Sequence, residues 1–293
     1  MQNSITINAY AKLNLSLDIV GVREDNYHLL RTVMQSISIY DTLNITRCGD
    51  KIALSSDDDS LIVNEENSIF KAAEQFFDTV GIKDRGISVH VEKRIPSQAG
   101  LGGASADAAA MLIGLNKIYN TGLSIGELCD IGVAIGADVP FCIVGGTQLC
   151  EGIGEVITPV PKLSDCYIVV AKPQGGVSTP KAYAKFDSIY GNSNASKKAE
   201  ECTDDVVSAL NSGILSQIGE SLGNIFERLV DDKEVPLIRE TMLSMGAVGA
   251  SMSGSGTAVY GLFDVNEYES AMKCMEYLSS QYPFSVICKP LNM

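Results

Sequence analysis

Residues 96–107, Pro-Ser-Gln-Ala-Gly-Leu-Gly-Gly-Ala-Ser-Ala-Asp, combine a glycine cluster with an alanine-rich run that reads as helix. Gly100, Gly102 and Gly103 would let backbone N–H groups approach an anion without Cβ interference. The helix that follows would aim its unpaired amides and positive dipole end at the same anion, which points to nucleotide phosphate binding. The pattern is neither of two common phosphate loops. A Walker loop ends in Gly-Lys-Ser/Thr, whereas Ala104 follows Gly103, and a Gly-x-Gly-x-x-Gly fingerprint starting at Gly100 needs glycine where Ser105 stands. Taken alone, the segment fits an anion cradle or a plain turn into a helix.

The rest of the composition narrows the partners. A formal charge of −14 argues against a nucleic-acid surface, which needs clustered Lys and Arg over a broad face. A polyanionic small substrate would need a local basic pocket, for which Lys93-Arg94, just before the loop, are candidates. With 293 residues, 45% hydrophobic and 20% charged, the chain can build two domains or one large one. The N-terminus lacks a basic region followed by an apolar run, and no stretch approaches the roughly 18 apolar residues of a membrane span. The expected location is the cytoplasm, with no membrane or nucleic-acid partner. Eight scattered cysteines lack Cys-x-x-Cys pairs, which suggests reduced, mostly buried thiols. Of the two histidines, His90 falls on the polar face of an alternating strand and receives no role.

The elements that must position these residues follow from periodicity. Leu13, Leu15, Leu17 and Ile19 alternate as in a half-buried strand, and residues 33–45 carry one or two more. Asn67 reads as the N-cap of an amphipathic helix through Ile69, Ala72, Ala73, Phe76, Phe77 and Val80, stopped by Gly81. A strand at 87–92 precedes the glycine loop, whose helix runs to about Tyr119, and Ser124 with Glu127 forms a capping box for another helix. Gly136-Ala-Asp-Val-Pro140 ends that helix, and strands are expected at 141–149 and 167–171. Residues 187–205, with an Asn194 sequon of no expected consequence, read as a polar, mobile connection. Helices near 206–231, 234–245 and 266–280 and strands at 257–263 and 284–289 complete an α+β pattern, with a boundary near Pro159 and Pro161.

Three separated segments resemble the motifs of the GHMP kinases: Tyr10-Ala-Lys-Leu-Asn-Leu, Pro96-x-x-x-Gly-Leu-Gly-Gly-Ala-Ser-Ala, and Ser251-Met-Ser-Gly-Ser-Gly-Thr-Ala-Val. Their order and spacing match as well, so the resemblance spans nearly the whole chain. It implies a two-domain α+β GHMP kinase fold. An N-terminal nucleotide-binding domain, 1–155, would contain a left-handed βαβ unit, and a C-terminal domain, 156–293, would be ferredoxin-like. It also implies an enzyme, an ATP-dependent phosphotransferase using Mg²⁺. Asn26-Tyr-His and Gly136-Ala-Asp-Val-Pro resemble the members whose small-molecule acceptor is a hydroxyl of a cytidine-diphosphate-linked polyol. A kinase for homoserine or mevalonate, or a nucleotide sensor without turnover, are the alternatives. A monomer or weak homodimer is expected.

Carried over residue by residue, the resemblance assigns Asp138 as the base and Lys12 as the charge beside it. On residue type alone, Asp138 reads as a turn-capping aspartate, and Lys12 as a solvated strand lysine. ATP would meet Asn67, Lys93, Pro96, Gly100, Leu101, Gly102, Gly103, Ala104 and Ser105, with Asn67 also a plausible N-cap. The acceptor would meet Asn14, Tyr27, His28, Asp138, Thr179, Tyr183, Gly254 and Ser255, the aromatic rings stacking on cytosine. Ala104 and Ala106 stand where related sequences often carry glycine or serine, which leaves Ser105 as the loop hydroxyl and metal ligand.

Overall fold

The computed structural model describes residues 3–191 and 201–292. The chain divides into two compact units, one of Met1–Ala11, Ile39–Ile95 and Gly102–Val144, the other of Lys12–Ser38, Pro96–Leu101 and Gly145–Met293. Two long strands, β1 (Ser4–Asn14) and β3 (His28–Arg47), pair with each other and contribute to both.

In the first unit, the C-terminal half of β3 pairs antiparallel with β5 (Ile87–Glu92), which pairs in parallel with β4 (Ile52–Ser56). Helix α1 (Ser68–Val80) connects the two parallel strands as a βαβ unit. Its boundaries are those the sequence predicts. Asn67 caps its start by accepting from the Ile69 amide, Ile69, Ala72, Ala73, Phe76 and Phe77 are buried, and Gly81 closes it at φ +69°. Helix α2 (Gly103–Tyr119) is buried almost all round from Ala106 to Leu115, so it is a core helix rather than a surface one. Helix α3 (Ile125–Val133) carries the expected Ser124–Glu127 capping box.

Residues 139–144 correct the sequence reading, because Val139–Val144 is a helix, α4, where a strand was expected. A short apolar run fits a buried strand or a buried helical turn equally well, and Pro140 suits the first turn of a helix. The correction places Asp138 directly before a helix.

In the second unit, the N-terminal half of β3 lies between β2 (Ser16–Val22) and β6 (Thr147–Gly152), antiparallel to both. Strand β7 (Val156–Pro159) extends β6, and β9 (Gly223–Asn224) extends β2. The stretch from Leu13 to Ile19 is not half-buried as its alternation suggests. Asn14, Ser16 and Asp18 are buried too, the last accepting from the amides of Cys202 and Thr203. Polar residues there face other protein groups, so alternation marks parity but not exposure.

A four-stranded antiparallel sheet completes this unit, in the order β10 (Gly249–Met252), β11 (Val259–Asp264), β8 (Cys166–Lys172), β12 (Phe284–Cys288). With α8 (Glu234–Ser244) before β10 and α9 (Tyr268–Ser279) before β12, the chain path is the βαββαβ of a ferredoxin-like fold. Ile238, Met242, Cys274 and Leu278 from the helices pack with Val169, Val259 and Phe263 from the sheet.

Between β8 and β10 run α5 (Thr179–Tyr190), α6 (Thr203–Ser212) and α7 (Leu215–Ser221). The helix expected over 206–231 is therefore broken, first at Gly213, whose φ is +68°. The polar connection expected over 187–205 is shorter at both ends, since Asp187 lies in α5 and Thr203 opens α6. Its centre, including the Asn194 sequon, lies outside the described residues. Of the eight cysteines, Cys150, Cys166, Cys274 and Cys288 are buried, and no described helix is long and apolar enough to cross a membrane.

Candidate active site

The phosphate-loop candidates of the first unit gather at the start of α2. Gly102 is its N-cap in the left-handed region at φ +72°, and no side chain caps this N-terminus. The first-turn amides of a helix have no intrahelical partners, so an uncapped start offers donors to an anion. Ser105 is half-buried in this turn, and a Cβ built on Gly136 would lie 3.8 Å from its Oγ. The loop hydroxyl therefore borders the turn that carries Asp138. Ala104 is tied to the start of α1, its carbonyl accepting from Ser68 Oγ at 2.7 Å. Both polar ends of Asn67 are engaged, Oδ1 with the Ile69 amide and Nδ2 with the Ile62 carbonyl. Its capping role is thus direct.

Lys93 occupies a buried ionic cluster. Its Nζ donates to Asp41 Oδ2 and to Asp107 Oδ2, the latter at 2.6 Å. Asp41 also accepts from the backbone amides of Arg94 and Ile95, which fastens the chain leading into the loop. A Cβ on Gly103 would come within 3.1 Å of Ile95 Cγ2, so the same segment packs directly under the helix start. Burial alone would lower the Lys93 pKa, but Asp107 and Asp41 outweigh it and hold it above the ordinary lysine range. Burial pushes the Asp107 carboxyl up, Asp41 pushes it further, and Lys93 only partly offsets them. Asp107 Oδ1 makes no hydrogen bond.

In the second unit three distant segments close on one another. The Lys12 amide donates to the Leu101 carbonyl at 3.0 Å, and the Ala258 amide donates to the Ala99 carbonyl at 3.1 Å. Ser253 Oγ accepts from the Asn14 amide at 3.2 Å and donates to the Gly100 carbonyl at 2.9 Å. Gly100, at φ +75°, leaves no room for a side chain, because a Cβ would lie 1.9 Å from the Ser253 carbonyl oxygen. Pro96 begins this segment and Leu101, buried, ends it. Lys12 is itself buried and donates from Nζ to Asn14 Oδ1 at 2.6 Å, while Asn14 Nδ2 donates to Thr32 Oγ1 at 2.8 Å. Asn14 therefore orients the lysine. A Cβ on Gly254 would lie 3.3 Å from Lys12 Nζ. Asn224 Nδ2 fixes the same turn through the carbonyls of Met252 and Gly254.

The residues expected at a cytosine separate into a packed group and an exposed one. His28 stacks on Tyr183 with ring centroids 4.7 Å apart and an interplanar angle of 29°. Its Nε2 lies 2.8 Å from Asp187 Oδ1, and Phe226 meets Tyr183 edge-on. Tyr27 is 58% exposed, with the Arg23 guanidinium 5.4 Å from its ring centroid. Thr179, at the start of α5, shares a hydrogen bond with Ser255 at 3.1 Å. Sequence reasoning missed Asp41, Asp107, Thr32, Asp187 and Asn224. Only Asp107 carries a local signal, as the one acid within the apolar run from Ala106 to Leu115.

Comparison with known proteins identifies the family. Residues 67–146 match the GHMP kinases N terminal domain, and residues 207–282 match the GHMP kinases C terminal family. The chain belongs to the GHMP kinases. Members of the family are ATP-dependent kinases, and the chain is a small-molecule kinase of this type. It is 41% identical over 278 residues to a 4-diphosphocytidyl-2-C-methyl-D-erythritol kinase of Clostridium novyi, covering 94% of this chain and 95% of the relative. A crystal structure of 4-(cytidine 5'-diphospho)-2C-methyl-D-erythritol kinase superposes with a TM-score of 0.77 at 27% identity, covering 99% of this chain and 100% of that one. Homoserine kinase from Cytophaga hutchinsonii has the same fold, with a TM-score of 0.77 at 20% identity over 100% of this chain and 96% of its own.

Proposed function

We propose that this GHMP kinase transfers the γ-phosphoryl group of ATP to a hydroxyl of 4-diphosphocytidyl-2-C-methyl-D-erythritol, a step in the non-mevalonate route to isoprenoid precursors. One observation carries the choice of acceptor, the near-full-length likeness to a relative of that name. The fold shared with a homoserine kinase does not discriminate between acceptors. The same reading divides the chain into a nucleotide-binding domain, 1–155, and a C-terminal domain, 156–293.

Phosphoryl transfer asks mainly for positioning and charge neutralisation. In this reading the uncapped start of α2 and the glycines at 100, 102 and 103 receive the phosphates of ATP. Asp41 and Lys93 act one step back, holding the residues that lead into the loop. Asp138 accepts the proton of the attacking hydroxyl, and Lys12, oriented by Asn14, supplies positive charge to the transferring group. Tyr27, His28 and Tyr183 receive the base, and Thr179, Gly254 and Ser255 offer hydroxyls and an amide to the remainder of the acceptor. Among the described residues no group of three His, Cys, Asp or Glu side chains could hold a metal ion. The reading therefore assigns Mg²⁺ to the substrate phosphates, water and Ser105, where it would neutralise the triphosphate.

The test is ATP consumption with a panel of alcohols that includes the cytidine-diphospho compound, homoserine and mevalonate. Turnover of the cytidine compound alone is expected. Equal turnover of homoserine or mevalonate would overturn the acceptor, and no turnover with any alcohol would favour a nucleotide sensor. Lys12→Ala and Asp138→Asn should each lose about 10²-fold or more in kcat. Wild-type rates in both would remove the mechanism.

A further inference from the structure

We infer that Asp187 fixes the tautomer of His28 and thereby sets the preference for an amino-bearing pyrimidine in the acceptor. The inference rests on the reading above, in which this cluster receives the base. Three residues of α5 act on one ring. Tyr183, Phe186 and Asp187 are spaced i, i+3 and i+4, so they share a helix face. Tyr183 covers one face of the imidazole, Phe186 meets it with centroids 5.8 Å apart at 88°, and Asp187 Oδ1 reaches Nε2 at 2.8 Å. Stack, edge and anchor together define the ring's orientation.

A carboxylate only accepts hydrogen bonds, so Nε2 carries the hydrogen. The neutral ring then leaves its lone pair on Nδ1. An acceptor at that atom pairs with the exocyclic amino group of cytosine. Uracil has a carbonyl oxygen at the same position, a second acceptor with no hydrogen to share. A polar atom built for one partner rejects an analogue that leaves it unpaired. Asp187 is thus a positioning residue, acting on the base through His28. Without it, both neutral tautomers become accessible, and the form with hydrogen on Nδ1 suits uracil.

Steady-state kinetics with the cytidine-diphospho acceptor and its uridine counterpart test this. Asp187→Ala should raise KM for the cytidine compound about tenfold and lower the cytidine-over-uridine ratio of kcat/KM by a similar factor, the loss of one hydrogen bond to a charged group. Its kcat and its KM for ATP should stay within about twofold of wild type. Asp187→Ser, too short to reach His28, should behave alike and serves if the alanine variant does not fold. Asp187→Asn keeps an oxygen that accepts from Nε2–H and should restore most of the ratio. An unchanged ratio in the alanine and serine variants, or an asparagine variant as impaired as alanine, overturns the inference. Wild-type protein inactive on the cytidine compound would instead overturn the functional reading beneath it.

Discussion

The loop of residues 96–107 and the cluster of His28, Tyr183 and Asp187 are built from different materials. The loop is backbone. Gly100 and Gly102 take left-handed conformations, and the carbonyls of Ala99, Gly100 and Leu101 accept from Ala258, Ser253 and Lys12. The cluster is side chains, with two rings stacked and a carboxylate reaching across 159 positions of sequence. A backbone cradle works only if no atom is added to it, whereas a side-chain cluster can lose a member and keep partial function. The first should therefore fail abruptly and the second by degrees.

Gly100→Ala is the largest expected effect. Its Cβ would sit 1.9 Å from the Ser253 carbonyl oxygen and 2.8 Å from the carbonyl carbon, with φ at +75°. The clash is with backbone, which cannot rotate away, so the loop must shift. A displacement of this order should cost at least about 10²-fold in kcat/KM, measured by ATP consumption. Near-wild-type turnover would mean the loop is not held by this contact. Tyr183→Ala sharpens the other side of the comparison. Loss of one stacking ring should raise KM for the cytidine acceptor about 10–100-fold while KM for ATP holds. A matching rise for ATP would show that the ring supports the whole molecule rather than the base.

The same contrast explains what the sequence revealed. The glycine loop was legible because its signal is local, a spacing of glycines before an apolar helix, and so were the ends of α1 at Asn67 and Gly81 and the cap of α3 at Ser124. Gly136-Ala-Asp-Val-Pro was legible as a turn but not as the start of α4, since six apolar residues do not set a period. Thr32, Asp41 and Asp187 were invisible for another reason. Each is an ordinary polar residue whose partner lies far along the chain, Asp41 with Lys93 and Asp187 with His28. Tertiary structure alone brings them together. Resemblance supplied Lys12 and Asp138, which residue type left ambiguous, and it supplied neither Asn14's grip on the lysine nor the Ser253 bridge.

Ser253 tests how firmly the backbone region depends on one side chain. Its hydroxyl, fully buried, joins the Asn14 amide to the Gly100 carbonyl. Ser253→Ala leaves both groups buried without this partner, at a cost of about 1–3 kcal/mol. For a chain of this size that corresponds to a fall in Tm of roughly 2–10 °C, read by calorimetry. An unchanged Tm would mean that water or a backbone shift satisfies both groups, and the loop would then be less rigid than the comparison requires.

The smallest effect separates charge from geometry beneath the loop. Burial, then Asp41, raises the Asp107 carboxyl to about 7, despite Lys93. An acid whose folded pKa lies above its unfolded value of about 4 favours the folded state most at low pH. That stability is fully present below the unfolded value and is lost as pH rises through about 7, where the buried group must ionise. Asp107→Asn imitates the protonated acid at every pH and can still accept from Lys93. The variant should match wild type near pH 4 and gain on it towards pH 8, by on the order of 1–2 kcal/mol. Thermal melts of both proteins across that range supply the comparison. A constant difference would mean that Asp107 stays ionised, with Lys93 and Asp41 sharing their charge with it throughout. The ionic cluster would then be a fixed brace for the loop, and the second carboxylate would add strength rather than pH sensitivity.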